Sequence, residues 1–81
     1  ELLTEIKSAL SQGDVQDAVG GYKKLIKKGA GIEEVVENIN NALRKFPLDV
    51  NLWQILGDAF MKQDRLQEAL DAYTKAEDLL R

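Results

Sequence analysis

The side chains that could carry chemistry in this chain are carboxylates, amines and hydroxyls, because it contains no cysteine and no histidine. Without cysteine there is no thiolate nucleophile, no zinc-thiolate site and no disulfide framework. Without histidine the commonest general base and the commonest metal ligand are missing. Glu33, Glu34 and Glu37 crowd one short stretch and suit a cation by type, but nowhere is there EF-hand spacing. The run Lys23-Lys24-Leu25-Ile26-Lys27-Lys28 suits a phosphate or an acidic partner. It lacks the interleaved exposed aromatics that single-stranded nucleic acid requires. The hydroxyls of Thr4, Ser8, Ser11, Tyr22, Tyr73 and Thr74 have no imidazole to activate them. Gly20-Gly21 is no phosphate loop, since no strand pattern precedes it and no Gly-Lys-Ser/Thr follows. The chain therefore does not read as an enzyme: no catalytic, cofactor-binding or metal-binding residue is assigned, and no cofactor is expected.

The elements that must position these groups read as helices. The 81 residues, 44% apolar and 31% charged with a single proline, fit one small all-α domain. Eleven basic residues against 14 acidic ones leave a net charge of −3, which suits solubility and not bulk nucleic-acid binding. Five segments carry the helical period. The first holds Leu2, Leu3, Ile6, Ala9 and Leu10 and stops at Ser11-Gln12-Gly13. The second holds Val15, Ala18, Val19, Tyr22, Leu25 and Ile26, with Asp14 as expected N-cap and Gly29 as left-handed terminator. The third, Ile32 to Phe46, is closed by Pro47. The fourth follows Asp49 and has the widest apolar arc, so it must be covered on more than one side. The fifth follows Asp64, which with Gln67 is expected to form a capping box. Acid first and base last recurs in the middle helices, so the glutamate and lysine clusters have a common structural explanation in the helix dipole. No apolar run approaches the roughly 20 residues of a membrane helix, and no secretory leader is present. The chain starts at Glu1 and stops at Arg81 inside a periodic segment, so it reads as a piece of a longer or trimmed protein; a cytoplasmic setting is expected.

A repeat underlies the pattern. Residues 53–60 read Trp53-Gln54-Ile55-Leu56-Gly57-Asp58-Ala59-Phe60, followed by Ala69, Tyr73 and Ala76. The spacing W-x2-L-G-x2-F, then A-x3-Y-x2-A, resembles the tetratricopeptide repeat, with the two aromatics exchanged. A shift of 34 residues, the period of that family, places Pro47 and Ala42 at its closing proline and small residue. Lys23 then stands where Gly57 stands in the later copy, a departure that implies looser packing or a snorkelling stem. The expected organisation is one domain over 1–81, with a leading half-repeat at 1–13, a weak repeat at 16–49 and a strong one at 50–81. An alternative stays open, because Gly13-Asp14-x3-Ala18-x3-Tyr22 also echoes the second helix of a repeat.

The resemblance implies antiparallel helical hairpins stacked into a right-handed solenoid, and a protein or peptide partner held in a concave groove. The expected groove residues are Asn51, Gln54, Asp58 and Met61 on the fourth helix and, by the 34-residue offset, Asp17, Gly20, Lys24 and Lys27 on the second. Met61 and Ile55 are expected mainly to pack in the core or between repeats. The chaperone-tail clamp of this family uses basic residues and asparagine where this chain has Gln54 and Asp58, so a terminal carboxylate is a poor fit. In the fifth helix Leu66, Leu70, Leu79, Leu80 and Ala76 cannot all face the fourth, so a further helix or a second copy should cover them. The competing expectation is thus a structural segment that self-associates through this apolar face. Neither nucleic acid nor membrane is an expected partner.

Overall fold

Apolar residues at helical spacing build five helices across residues 1–81 of the computed structural model: α1 (Leu2–Ser11), α2 (Val15–Lys28), α3 (Ile32–Lys45), α4 (Val50–Lys62) and α5 (Leu66–Leu79). There is no strand, and no helix is long and apolar enough to cross a membrane. The caps explain several boundaries. The Asp14 carboxylate accepts from the Asp17 amide at 3.2 Å, and Asp49 accepts from the Leu52 amide at 3.0 Å. Each satisfies a donor that has no intrahelical partner. Gly29 ends α2 at φ 75°, a left-handed conformation that costs glycine little. Basic residues close α2, α3 and α4, whereas α5 has none in its last turn.

The α4–α5 turn departs from the expected capping box. Asp64 is itself left-handed at φ 58°, Arg65 is the N-cap without a side-chain bond, and the Gln67 amide turns to Asp71 at 3.2 Å. An aspartate spent on the turn is not placed to cap the helix behind it. The α1–α2 turn has the same backbone. Gly13 N donates to Leu10 O at 3.0 Å and Asp14 N to Ala9 O at 2.8 Å; Asp64 N donates to Met61 O at 3.1 Å and Arg65 N to Phe60 O at 3.0 Å. This shared turn is the physical content of the echo between Gly13-Asp14 and the start of α5.

The helices lie in two layers within a slab of 30 × 28 × 16 Å. In one layer α2 and α4 run side by side in the same direction, Gln16 and Val19 beside Asn51 and Gln54, and Lys27 beside Met61 and Lys62. In the other, α3 borders α1 on one side and α5 on the other. The α4–α5 hairpin is the most closely packed pair, and α4 also meets α2 and α3, as its wide apolar arc requires. Among consecutive helices the α2–α3 pair touches least, joined through Gly29 and the left-handed Gly31 at φ 68°.

Small residues allow the close crossings. A methyl group on Gly57 would lie 2.5 Å from Tyr73 Cε1, so the ring occupies the space a Cβ would need. On α2 the corresponding close glycine is Gly21, whose added Cβ would meet Ile6 Cγ1 at 2.6 Å; Gly20 has open space, and Lys23 is exposed. The core is apolar throughout, with Tyr22, Ile6, Ile39, Leu52, Ile55 and Val35 its largest fully buried members. Trp53, the first residue of the repeat pattern, is only half-buried. Its indole N–H donates to the Pro47 carbonyl at 2.8 Å, and Lys75 lies over its ring. Ala76 does not await another helix, since it is already 1% exposed within this chain.

Candidate functional site

Where α2 and α4 run side by side they leave an open cleft. One part of it, about 350 Å³, has Ile26, Ile55 and Met61 as its apolar lining and Lys23, Lys27 and Lys62 around them. Ile26 and Ile55 belong to the buried core, whereas Met61 is 47% exposed. Met61 thus belongs to the cleft and not to the core or inter-helix packing expected of it, because it lies one residue before the end of α4, past the reach of its neighbours. A second part continues toward the start of both helices and is lined by Gln16, Val19, Asn51 and Gln54. Asp58 and Lys23 stand where the two parts join.

Of the expected groove residues, the structure brings Asn51, Gln54, Asp58, Met61 and Lys27 together along this cleft. It leaves Lys24 outside, along with Asp17 and Gly20, and puts Lys23 in its place. The reason is geometric. Transferring a position by one repeat preserves its direction on its own helix. Asp58 looks back from α4 toward α2; Lys24, its counterpart, looks back from α2 to a side where no parallel helix lies. The wall of α2 that meets α4 is one residue, about 100° of helix, away.

The charges in the cleft are unequally committed. The Tyr73 hydroxyl, reaching across from α5 beside Gly57, donates to the Asp58 carboxylate. Burial, with the bond to Asp58 and its charge, pushes the Tyr73 phenol up to about 12. A second tyrosine contact joins α2 to α3: the Tyr22 hydroxyl donates to Asn38 Oδ1 at 2.6 Å, and burial pushes this phenol up to about 12 as well. The lysines have no such partner. The only ion pair in the structure joins Arg65 to Glu68 on α5, and the hydrogen bond from Arg65 holds that carboxylate below its ordinary range. Arg65 also stacks on Phe60 at 4.8 Å from the ring centre. Glu33, Glu34 and Glu37 are all exposed on α3, and no set of three carboxylates is close enough to hold a metal ion.

The α5 face is a separate feature. Leu66, Leu70 and Leu80 are 59%, 58% and 68% exposed, whereas Leu79 is half-buried and does not belong with them. The counterparts of Leu66, Leu70 and Tyr73 one period earlier, Ile32, Val36 and Ile39, are buried in the core with α4 packed on their helix.

A family model described as tetratricopeptide repeat matches residues 36–80, which covers α4, α5 and most of α3. Comparison with curated proteins and with solved structures returns no match.

Proposed function

This chain belongs to the tetratricopeptide repeat family, whose domains generally mediate protein–protein interaction, and from that premise we propose that it holds a segment of a partner protein in the α2–α4 cleft, without catalysis. We read α2 and α4 as the first helices of successive repeats over 16–49 and 50–81. The alternation of layers supports this register. The observation that carries the reading is the cleft itself: an apolar lining of Ile26, Ile55 and Met61 continuous with a polar strip of Gln16, Asn51 and Gln54. Such a surface suits an extended chain, which needs pockets for side chains and hydrogen-bonding partners for its backbone.

The test replaces Asn51, Gln54 and Met61 together by alanine. Asp58 is spared because it bonds Tyr73, so its loss would confuse stability with binding. Proteins captured by the native chain should be lost by the variant while its circular dichroism and melting are kept. An unchanged set of captured proteins would refute the cleft as the binding surface.

A second reading rests on its own observation. The exposed Leu66 and Leu70 are the counterparts of buried Ile32 and Val36, so the α5 face is built like one that another helix covers. On this reading the chain self-associates through α5. Sedimentation should show association that rises with concentration and disappears when Leu66 and Leu70 become glutamine. A native chain that stays monomeric at high concentration excludes it.

A further inference from the structure

Resting on the cleft reading above, we propose that the segment held between α2 and α4 is acidic, with an apolar side chain flanked by aspartate or glutamate. The cleft has the opposite sign to the molecule. The chain carries a net charge of −3, yet the more open part of the cleft, toward the ends of both helices, is bordered by Lys23, Lys27 and Lys62 with Asp58 the only acid. That acid is engaged: it accepts the Tyr73 hydroxyl. The lysines form no ion pair, since the only one in the structure is Arg65–Glu68. Three unpaired ammonium groups around an apolar lining form a surface complementary to a side chain that is greasy at its centre and anionic on both sides.

The helix dipole explains why Lys27 and Lys62 stand at the ends of α2 and α4. It does not explain why both ends converge on one cleft. That follows from the parallel arrangement of α2 and α4, which brings Lys27 of one helix and Lys62 of the other to the same end. A phosphodiester chain is the less favoured occupant. Lining residues Ile26, Ile55 and Met61 provide no aromatic face for base stacking, and arginine, the residue that forks onto phosphate, is absent from the cleft.

The probe is a short fluorescent peptide with one leucine between two pairs of acidic residues, amidated at its C-terminus, followed by fluorescence anisotropy against the whole chain. These three lysines are all exposed, so the Lys23→Gln, Lys27→Gln, Lys62→Gln triple variant should fold; circular dichroism checks it. Losing three charge contacts should weaken the peptide about tenfold or more, and raising the salt concentration should weaken the native complex in the same way. The same peptide with lysines in place of its acids should not bind.

Several results would overturn the proposal. One is equal binding by the basic peptide; another is a triple variant that binds as the native chain does. A third is a single-stranded oligouridylate that displaces the peptide at lower concentration, which would assign the lysines to phosphate. Met61→Ser separates this proposal from the cleft reading beneath it. If Met61→Ser weakens every peptide while the lysine variant changes nothing, the cleft is the site and its acidic preference is wrong. If a peptide binds and neither substitution matters, the cleft is not the site, and both readings fall.

Discussion

Replacing Gly57 by alanine should destabilise the chain, although the same change in an unobstructed helix stabilises it. The new Cβ would stand 2.5 Å from Tyr73 Cε1, 2.7 Å from Cδ1 and 2.8 Å from Cζ. The obstacle is the body of an aromatic ring and not the end of a flexible chain, so the ring or the helix must move. Overpacking of this kind costs about 1–3 kcal/mol. Moving the ring also strains the Tyr73–Asp58 hydrogen bond, a further loss of about 1 kcal/mol. Against these, alanine gains about 1 kcal/mol of helix propensity over glycine. The net loss is about 1–3 kcal/mol, or roughly 5–20 °C in melting temperature for a chain of this size. Gly20→Ala is the control: nothing lies within 4 Å of its added Cβ, so it should raise the melting temperature by a few degrees. Gly21→Ala should fall between, because the Ile6 atoms it meets at 2.6 and 2.9 Å belong to an aliphatic side chain on the first helix. Thermal unfolding followed by circular dichroism ranks the three. In a Tyr73→Leu background the cost of Gly57→Ala should shrink, since the ring is gone. A Gly57→Ala chain that melts at or above the native temperature would show that the α4–α5 crossing is not held by this contact.

Two further outcomes follow from the same packing. Tyr22 and Tyr73 both ionise near 12 in the folded chain against an ordinary 10.0. The folded state therefore holds the phenolic proton more tightly than the unfolded state does. Its stabilisation is complete below pH 10 and is lost as pH rises from 10 toward 12, by about 2–3 kcal/mol for buried Tyr22. Alkaline unfolding should steepen in that window and flatten in Tyr22→Phe, read by tyrosinate absorbance and circular dichroism. Trp53→Ala should cost about 2–3 kcal/mol, less than the 3–5 typical of a fully buried tryptophan. Trp53→Phe should cost about 1 kcal/mol, mainly the hydrogen bond to the Pro47 carbonyl; urea unfolding measures both.

How much of this was legible in the sequence depends on the scale of the question. Helix positions follow from period and punctuation, and Asp14, Asp49, Gly29 and Pro47 fall where chain ends need a cap, a left-handed residue or a stop. Gly57 and Tyr73 were legible as positions of the repeat pattern, but that the Tyr73 ring fills the space beside Gly57 was not, because a pattern fixes positions and not contacts. Nor was the Asp64 turn, because aspartate suits both an N-cap and a left-handed turn, and only the neighbouring backbone decides between them. Lys23 and Lys24 differ by one step on the helix, yet that step decides which of them borders α4. The half-exposure of Trp53 and the burial of Ala76 depend on how far α5 rolls over α4, an angle that no residue type encodes alone. The Tyr73–Asp58 bond was hidden for a related reason: it joins two side chains that a linear pattern treats as separate faces.

The join between α2 and α3 has a mechanical consequence. Gly29 and Gly31 are both left-handed, Ala30 is exposed between them, and the helices on either side touch less than any other consecutive pair. This join is the one least supported by packing between the helices it connects. The two walls of the cleft stand on opposite sides of it, α2 before and α4 after. The walls nevertheless pack on each other more closely than α2 packs on α3, so the width of the cleft is set by the direct contact of α2 with α4 and not by the loop that joins α2 to α3. A ligand that spans the walls adds to that contact and acts as a brace between two helices that the intervening loop holds only loosely together.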